Sequence, residues 1–155
     1  LHGLNFKMYK FRTMVKNSHE MRDELEIFNN KSGPLFKLDD DPRIIKGAGF
    51  LRKYSLDELP QLFNVLKGEM SLVGPRPERP IFIKQFKSQI PHYMLRHKVK
   101  AGITGWAQIN GWRGNTSLEK RIECDLYYIE RWSIWLDIKI LFLTFFRGFF
   151  DPNAY

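Results

Sequence analysis

Apolar and polar residues alternate near the start of the chain, in "NFKMYKFRTM" (residues 5–14), where Phe6, Met8, Phe11 and Met14 stand against Lys7, Lys10 and Arg12, with a slip in phase near Tyr9. A period of two predicts a strand, and the slip a bulge. The period then lengthens. In "SHEMRDELEIF" (18–28), Met21, Leu25 and Phe28 fall at i, i+4 and i+7 behind Ser18, which predicts a charged helix. "NNKSGP" (29–34) is a loop, and "LDDDPRI" (38–44) a turn, because Pro42 disfavours helical backbone at Asp41. Further helices are predicted over 55–67, closed by Gly68; over 78–89, stopped before Pro91; over 117–132, opened by the capping box Thr116-Ser117-Leu118-Glu119; and from about 134 onward. Between them, "KAGITGWAQINGWRGNT" (100–116) sets four glycines and two tryptophans among short apolar pieces, which predicts a hairpin or irregular strands over a binding face. The whole reads as one helix-rich α+β domain over residues 1–155, with a small β-hairpin or sheet. With no βαβ alternation and no Gly-rich phosphate loop, a doubly wound nucleotide fold is not expected.

Composition narrows the setting. The 155 residues are 43% hydrophobic and 27% charged, enough for a core and unlike a disordered chain. Cys124 is the single cysteine, which excludes an internal disulfide or a cysteine-built zinc site and points to a reducing compartment. The net charge is +8, and residues 76–100 alone hold seven Lys/Arg against one acid, Glu78. Such a stretch can face nucleic acid, anionic lipid or phosphorylated substrates, or simply water. "LDIKILFLTFFRGFF" (136–150) is strongly apolar, but its longest charge-free run is residues 140–146. That is far short of the roughly 20 residues a spanning helix needs. It is expected to be buried or, given its phenylalanines, to lie amphipathically in a membrane interface.

The chemistry concentrates in "SLDELPQLFNVLKGEMSLVGPRPERP" (55–80). Asp57 and Glu58 have two readings. In one, Ser55 and Glu58 form a capping box and the acids complement the helix dipole. In the other, a helix start ringed by Arg52, Lys53 and Arg76 binds phosphate, Asp57 is a nucleophile kept ionised by its surroundings, and Glu58 holds Mg²⁺. Arg76 lies between Pro75 and Pro77, whose fixed backbone limits its wandering.

"YKFRTM", "DPRI", "FLRKYSLDELPQLFNVLKGEMSLVGPRPE", "VKAGITGWAQINGWRG" and "DLYYIERWSIWLDIKIL" follow one another in order. In this the chain resembles the bacterial sugar transferase family, the monotopic polyprenyl-phosphate phosphoglycosyl transferases. "IPHYMLRHKVKAGITGWAQINGWRG" and the terminal "NAY" resemble its undecaprenyl-phosphate glucose phosphotransferase branch. The resemblance implies that Asp57 attacks the β-phosphate of a UDP-sugar, expels UMP and carries a phosphosugar until polyprenyl phosphate takes it. It implies Glu58 as the Mg²⁺ ligand and Arg52, Arg76, Asp125 and Lys10 as substrate contacts. It also implies residence at the cytoplasmic face of the bacterial inner membrane, on anionic lipid, with a membrane segment ahead of this catalytic portion.

Other features have plainer expectations. "DDD" (39–41) is a turn rather than a metal cluster, and Asp125 can pair with Arg121 at i, i+4. His92 and His97 lack metal-ligand partners at useful spacing, and Cys124 is expected as a small buried hydrophobe. The rival class is a basic nucleic-acid module using Tyr93, Trp106 and Trp112 for stacking, but no recognised nucleic-acid motif accompanies the charge. An aspartyl-phosphate phosphatase is chemically nearer but would need a DxD after the first strand.

Overall fold

A computed structural model of the chain describes residues 5–18, 20–21, 41–113 and 116–147. Most of the helix expected at 18–28, the loop at 29–34 and the start of the Asp-rich turn lie outside the described residues. The described end of that turn is closed by Asp41, whose Oδ1 accepts from the Arg43 N–H at 3.0 Å.

The elements follow as α1 (Ala48–Lys53), a 3-10 turn (Leu56–Glu58), α2 (Gln61–Leu66), β1 (Ser71–Val73), α3 (Pro80–Gln89), a 3-10 helix (Tyr93–Lys98), β2 (Gly102–Thr104), α4 (Trp106–Ile109), α5 (Leu118–Glu130) and α6 (Ile134–Arg147). This is the helix-rich α+β domain expected. Proline chemistry sets two boundaries. Pro60, without an N–H, splits the predicted 55–67 helix into the 3-10 turn and α2, and Pro80 occupies the first turn of α3, where its missing donor costs nothing. Gly68, at φ 75°, closes α2 in the left-handed region that L side chains avoid. α5 is capped by Ser117, one residue beyond the position expected, with its hydroxyl accepting from the Lys120 N–H at 3.2 Å.

The sheet corrects the hairpin expectation. β1 and β2 run parallel, with Ser71 opposite Gly102 and Val73 opposite Thr104, and the crossover passes through α3 and the 3-10 helix. Glycine makes the pairing possible. A Cβ at Gly102 would lie 2.1 Å from the Gly74 nitrogen, and one at Gly105 would lie 2.2 Å from the Gly74 oxygen. The backbone leaving β1, which becomes Pro75-Arg76-Pro77, is thereby pressed against residues 100–105.

The first segment is extended, as its alternation predicts, but it is not a strand of a sheet. Among the described residues its one ladder contact is the antiparallel bridge Met14–Ile44. Its other backbone groups pair elsewhere. Fully buried Asn64 accepts from Tyr9 N–H (3.0 Å) and donates to Lys7 O (2.8 Å), and Phe11 N–H donates to Asp57 O (2.9 Å). These bonds lay Lys10 across the 3-10 turn.

Val73, Ile109, Tyr128 and Ile140 form one core cluster; Phe86, Tyr93 and Ile122 form another, so α5 serves both through Tyr128 and Ile122. α6 is buried along one side and exposed along the other. Ile140 is wholly buried and Thr144 bonds Thr104, while Ile134, Trp135, Phe142 and Phe145 are exposed. Among the described residues no helix is long and apolar enough to cross a membrane.

Candidate active site

Ser55 enters the 3-10 turn at φ 55° and makes no side-chain cap, so the capping-box reading of Ser55 and Glu58 does not hold. The turn instead drives both acids inward, leaving Asp57 2% and Glu58 4% exposed. Two buried carboxylates are costly unless cations accompany them. Here three do. Lys10 Nζ lies 2.8 Å from Asp57 Oδ2 and 3.3 Å from Glu58 Oε1. Arg76 grips Glu58 with both terminal nitrogens, Nη1 to Oε2 at 3.1 Å and Nη2 to Oε1. Arg113 Nη2 stands 3.7 Å from the same Oε1. Burial alone would push the Glu58 carboxyl up; the charge and hydrogen bonds of Arg76, helped by Arg113 and Lys10, outweigh it and hold the group down at about 2.

A second charged cluster supports the loop that carries Arg76. Arg96, 1% exposed at its side chain, donates from Nη2 to the Arg76 carbonyl at 2.8 Å and lies 2.8 Å from Asp125 Oδ2. Arg121 Nη1 donates to Glu78 Oε1 at 3.0 Å, two residues past Arg76. Burial, against the pull of Arg96 and Arg121, raises Asp125 to about 6. A guanidinium that binds a main-chain carbonyl and a buried carboxylate fixes the loop in a way packing alone would not.

The residues singled out from sequence therefore separate into three places. Asp57, Glu58, Lys10 and Arg76 converge on one cluster. Asp125 stands behind the Pro75-Arg76-Pro77 loop, in its anchor. Arg52 reaches Thr13, Nη1 to Oγ1 at 3.4 Å, and no hydrogen bond or ion pair among the described residues joins it to the two acids. Sequence reasoning missed Arg113 and Arg96. The first sits in a glycine-flanked stretch, "GWRGN", a hint at a loop held for its arginine; the second was counted as surface charge although it is 2% exposed. Cys124 is half-buried rather than buried.

No group of three or more His, Cys, Asp or Glu side chains able to hold a metal occurs among the described residues. Mg²⁺ does not require one, since it commonly takes one or two carboxylates and fills its shell with water and substrate phosphate oxygens. The acid pair fits that pattern. Asp57 Oδ2 is buried without an aligned hydrogen-bond partner, the Lys10 ammonium being near but off-axis. Glu58 adds a second hard oxygen donor beside it.

The family model described as bacterial sugar transferase matches residues 1–151. The chain is 50% identical over 157 aligned residues to a UDP-glucose:undecaprenyl-phosphate glucose-1-phosphate transferase of Escherichia coli, covering 99% of this chain and 32% of that protein. It is 52% identical to a protein of the same description from Klebsiella pneumoniae (99% and 31% covered). It is also 45% identical to a UDP-N-acetylgalactosamine-undecaprenyl-phosphate N-acetylgalactosaminephosphotransferase of Aeromonas hydrophila (90% and 31%). The chain spans about a third of the length of these curated relatives.

Proposed function

The chain belongs to the bacterial sugar transferase family, and on that premise we propose that it transfers a sugar 1-phosphate from a UDP-sugar to undecaprenyl phosphate through Asp57. The observation that carries this is the buried Asp57–Glu58 pair ringed by Lys10, Arg76 and Arg113. An Asp57 oxygen attacks the β-phosphorus, the bond from that phosphorus to the bridging oxygen breaks, and UMP departs with the electron pair. The lipid phosphate then attacks the same phosphorus, and the Asp57 carboxylate leaves with its oxygen. Lys10 pins Asp57 Oδ2, and Arg76, Arg113 and Lys10 lie where negative charge gathers on the transferred phosphoryl group. Arg52 is assigned to an outer phosphate contact and Asp125 to holding the Arg76 loop through Arg96.

Charge balance motivates the metal. Three cations face two carboxylates, so the cluster alone leaves about one positive charge for a diphosphate that brings about two negative ones. Mg²⁺ held by Glu58 and Asp57 would supply the remainder and polarise the phosphate oxygens.

The membrane surface is the proposed setting, on the cytoplasmic leaflet. Leu59, Leu62, Phe63 and Leu66, on and next to α2, are exposed immediately after the acid pair, and α6 adds Trp135, Phe142 and Phe145. Of the seven basic residues in 76–100, Arg96 is buried and Arg76 engages Glu58; Arg79, Lys84, Lys87, Lys98 and Lys100 are exposed toward solvent.

The donor sugar is assigned as glucose, after two of the relatives named above; the third is named for N-acetylgalactosamine. The test is UMP release, in a membrane preparation, from a panel of UDP-sugars with and without EDTA. UDP-glucose is expected to lead, with activity lost on chelation. Undiminished release in EDTA would remove the metal, and preference for another sugar would overturn glucose.

A further inference from the structure

A cavity of about 230 Å³ opens beside the Pro75-Arg76-Pro77 loop. Arg76 lines it while its guanidinium grips Glu58, so the cavity and the acid pair meet at that residue. Three further charged side chains stand at the wall. Arg96 is engaged with Asp125, and Glu78 with Arg121. Arg79 is different: its side chain is exposed and makes no ion pair or hydrogen bond among the described residues.

The backbone of Arg79, by contrast, is held on both sides. Pro80 follows it and keeps it extended, at φ −69° and ψ 142°. Its carbonyl accepts from Phe82 N–H at 2.9 Å and Ile83 N–H at 3.2 Å, at the start of α3. Before it, Glu78 is tied to Arg121 at 3.0 Å. A cation without a carboxylate partner, on a fixed main chain, can take an anion with little further loss of backbone freedom. Phe6, Met8, Pro75 and Ile83 make much of the remaining wall apolar, so a negative group there is screened less than at an open surface. The cations around the acid pair are largely matched by its two carboxylates; Arg79 keeps its whole charge for a ligand.

The proposed reaction brings two phosphates to one place. In an in-line displacement the attacking and leaving oxygens lie on opposite sides of phosphorus. When Asp57 attacks, UMP leaves from the side opposite Asp57. When the Asp57 oxygen is displaced in turn, the lipid phosphate enters from that same side. Both are phosphate monoesters, carrying about −1.5 to −2 charge near pH 7, so one cation can serve both. We infer that Arg79 is that cation, a substrate-binding residue that holds the phosphate of departing UMP and then the phosphate of the incoming lipid. The inference rests on the transfer through Asp57 proposed above.

Steady-state kinetics and calorimetric UMP binding test it in membrane-embedded enzyme, as wild type, Arg79→Ala, Arg79→Lys and Lys87→Ala. Nanodiscs of neutral lipid remove the attraction of exposed basic residues to anionic headgroups. Lys87 is an exposed base of α3 away from the cavity wall, so its variant reports the loss of surface charge alone. In Arg79→Ala the Kd for UMP and the KM for undecaprenyl phosphate are each expected to rise about tenfold, the scale of one charge-assisted hydrogen bond. Affinity for uridine, which has no phosphate, is expected to stay at the wild-type value. Arg79→Lys is expected to recover part of both losses, and UMP to inhibit wild type competitively against undecaprenyl phosphate. Thermal melting checks that the variants remain folded. Wild-type values for both ligands in Arg79→Ala would overturn the assignment, as would equal losses in Lys87→Ala. A loss confined to one ligand, or noncompetitive inhibition by UMP, would overturn the shared position. Failure of the transfer reaction itself looks different: wild type would release no UMP from any UDP-sugar, and the role of Arg79 would fall with it.

Discussion

Glu58 shows how strongly single residues are constrained here. Its carboxyl is held at about 2, well below the usual 4.5, so its ionised form contributes stability above about pH 4.5 and loses it as pH falls toward 2. A shift of that size corresponds to something on the order of 3 kcal/mol. Glu58→Gln is therefore expected to separate from wild type in urea unfolding as pH rises from 2 to 4.5, with a constant gap above; a gap that does not change with pH would contradict it. Asp125 has the opposite sign. Raised from 3.8 to about 6, it favours the folded state while protonated, and that contribution fades as pH climbs from about 4 to 6. Asp125→Asn should flatten the decline in this window. Because Asp125 acts through Arg96 on the Arg76 carbonyl, the same variant is expected to lower kcat about tenfold, the scale of a 1.4 kcal/mol loss. An Asp125→Asn enzyme with wild-type kcat and an unchanged pH–stability profile would sever Asp125 from the loop.

At the scale of elements, helices were the most legible part. α3, α5 and α6 lie within a residue or two of where periodicity, the capping box at 116–119 and the stop before Pro91 put them, because these signals act locally; α3 opens at Pro80 rather than 78, and α5 is capped by Ser117 rather than Thr116. What failed depended on distant partners. The alternation at 5–14 is real, but Asn64 and the Asp57 carbonyl take backbone bonds that a neighbouring strand would have made, and Asn64 lies 55 residues from Tyr9. The glycines of "KAGITGW" were read as part of a hairpin or of irregular strands; they are contact points for a parallel strand. For the site, Asp57, Glu58, Lys10 and Arg76 could be picked out by motif, but their convergence could not. Arg96 carried no local mark that it is buried, and the glycines beside Arg113 marked a loop but not its contact with Glu58. Gly105→Ala tests the strand contact directly, since its Cβ would meet the Gly74 oxygen at 2.2 Å with only backbone to yield. It is expected to destabilise the fold by about 3 kcal/mol or more, at the upper end of overpacking costs. Ala at Gly49, where a Cβ meets nothing within 4 Å, is the control and should stay within about 1 kcal/mol of wild type.

For the whole molecule, the apolar side chains around α2, next to the buried acid pair in the chain, and the outer face of α6 are exposed. Each exposed Lys or Arg close to anionic lipid contributes about 1 kcal/mol, and five in residues 79–100 are exposed. Co-sedimentation with anionic vesicles is expected to fall with salt, and to fall further in Trp135→Ser/Phe142→Ser, which removes apolar contacts that salt does not screen. Equal binding to neutral vesicles at high salt would leave the basic residues without a role there. The proposed reaction requires Asp57 to carry the sugar phosphate. The most direct measurement is peptide mass spectrometry of membrane-embedded enzyme mixed with UDP-glucose and Mg²⁺ but no lipid acceptor, then acid-quenched. A hexose-phosphate adduct on Asp57, absent from Asp57→Asn together with a loss of turnover on the order of 10³-fold or more, is the predicted result. An adduct on another residue, or an Asp57→Asn enzyme that releases UMP at the wild-type rate, would contradict it.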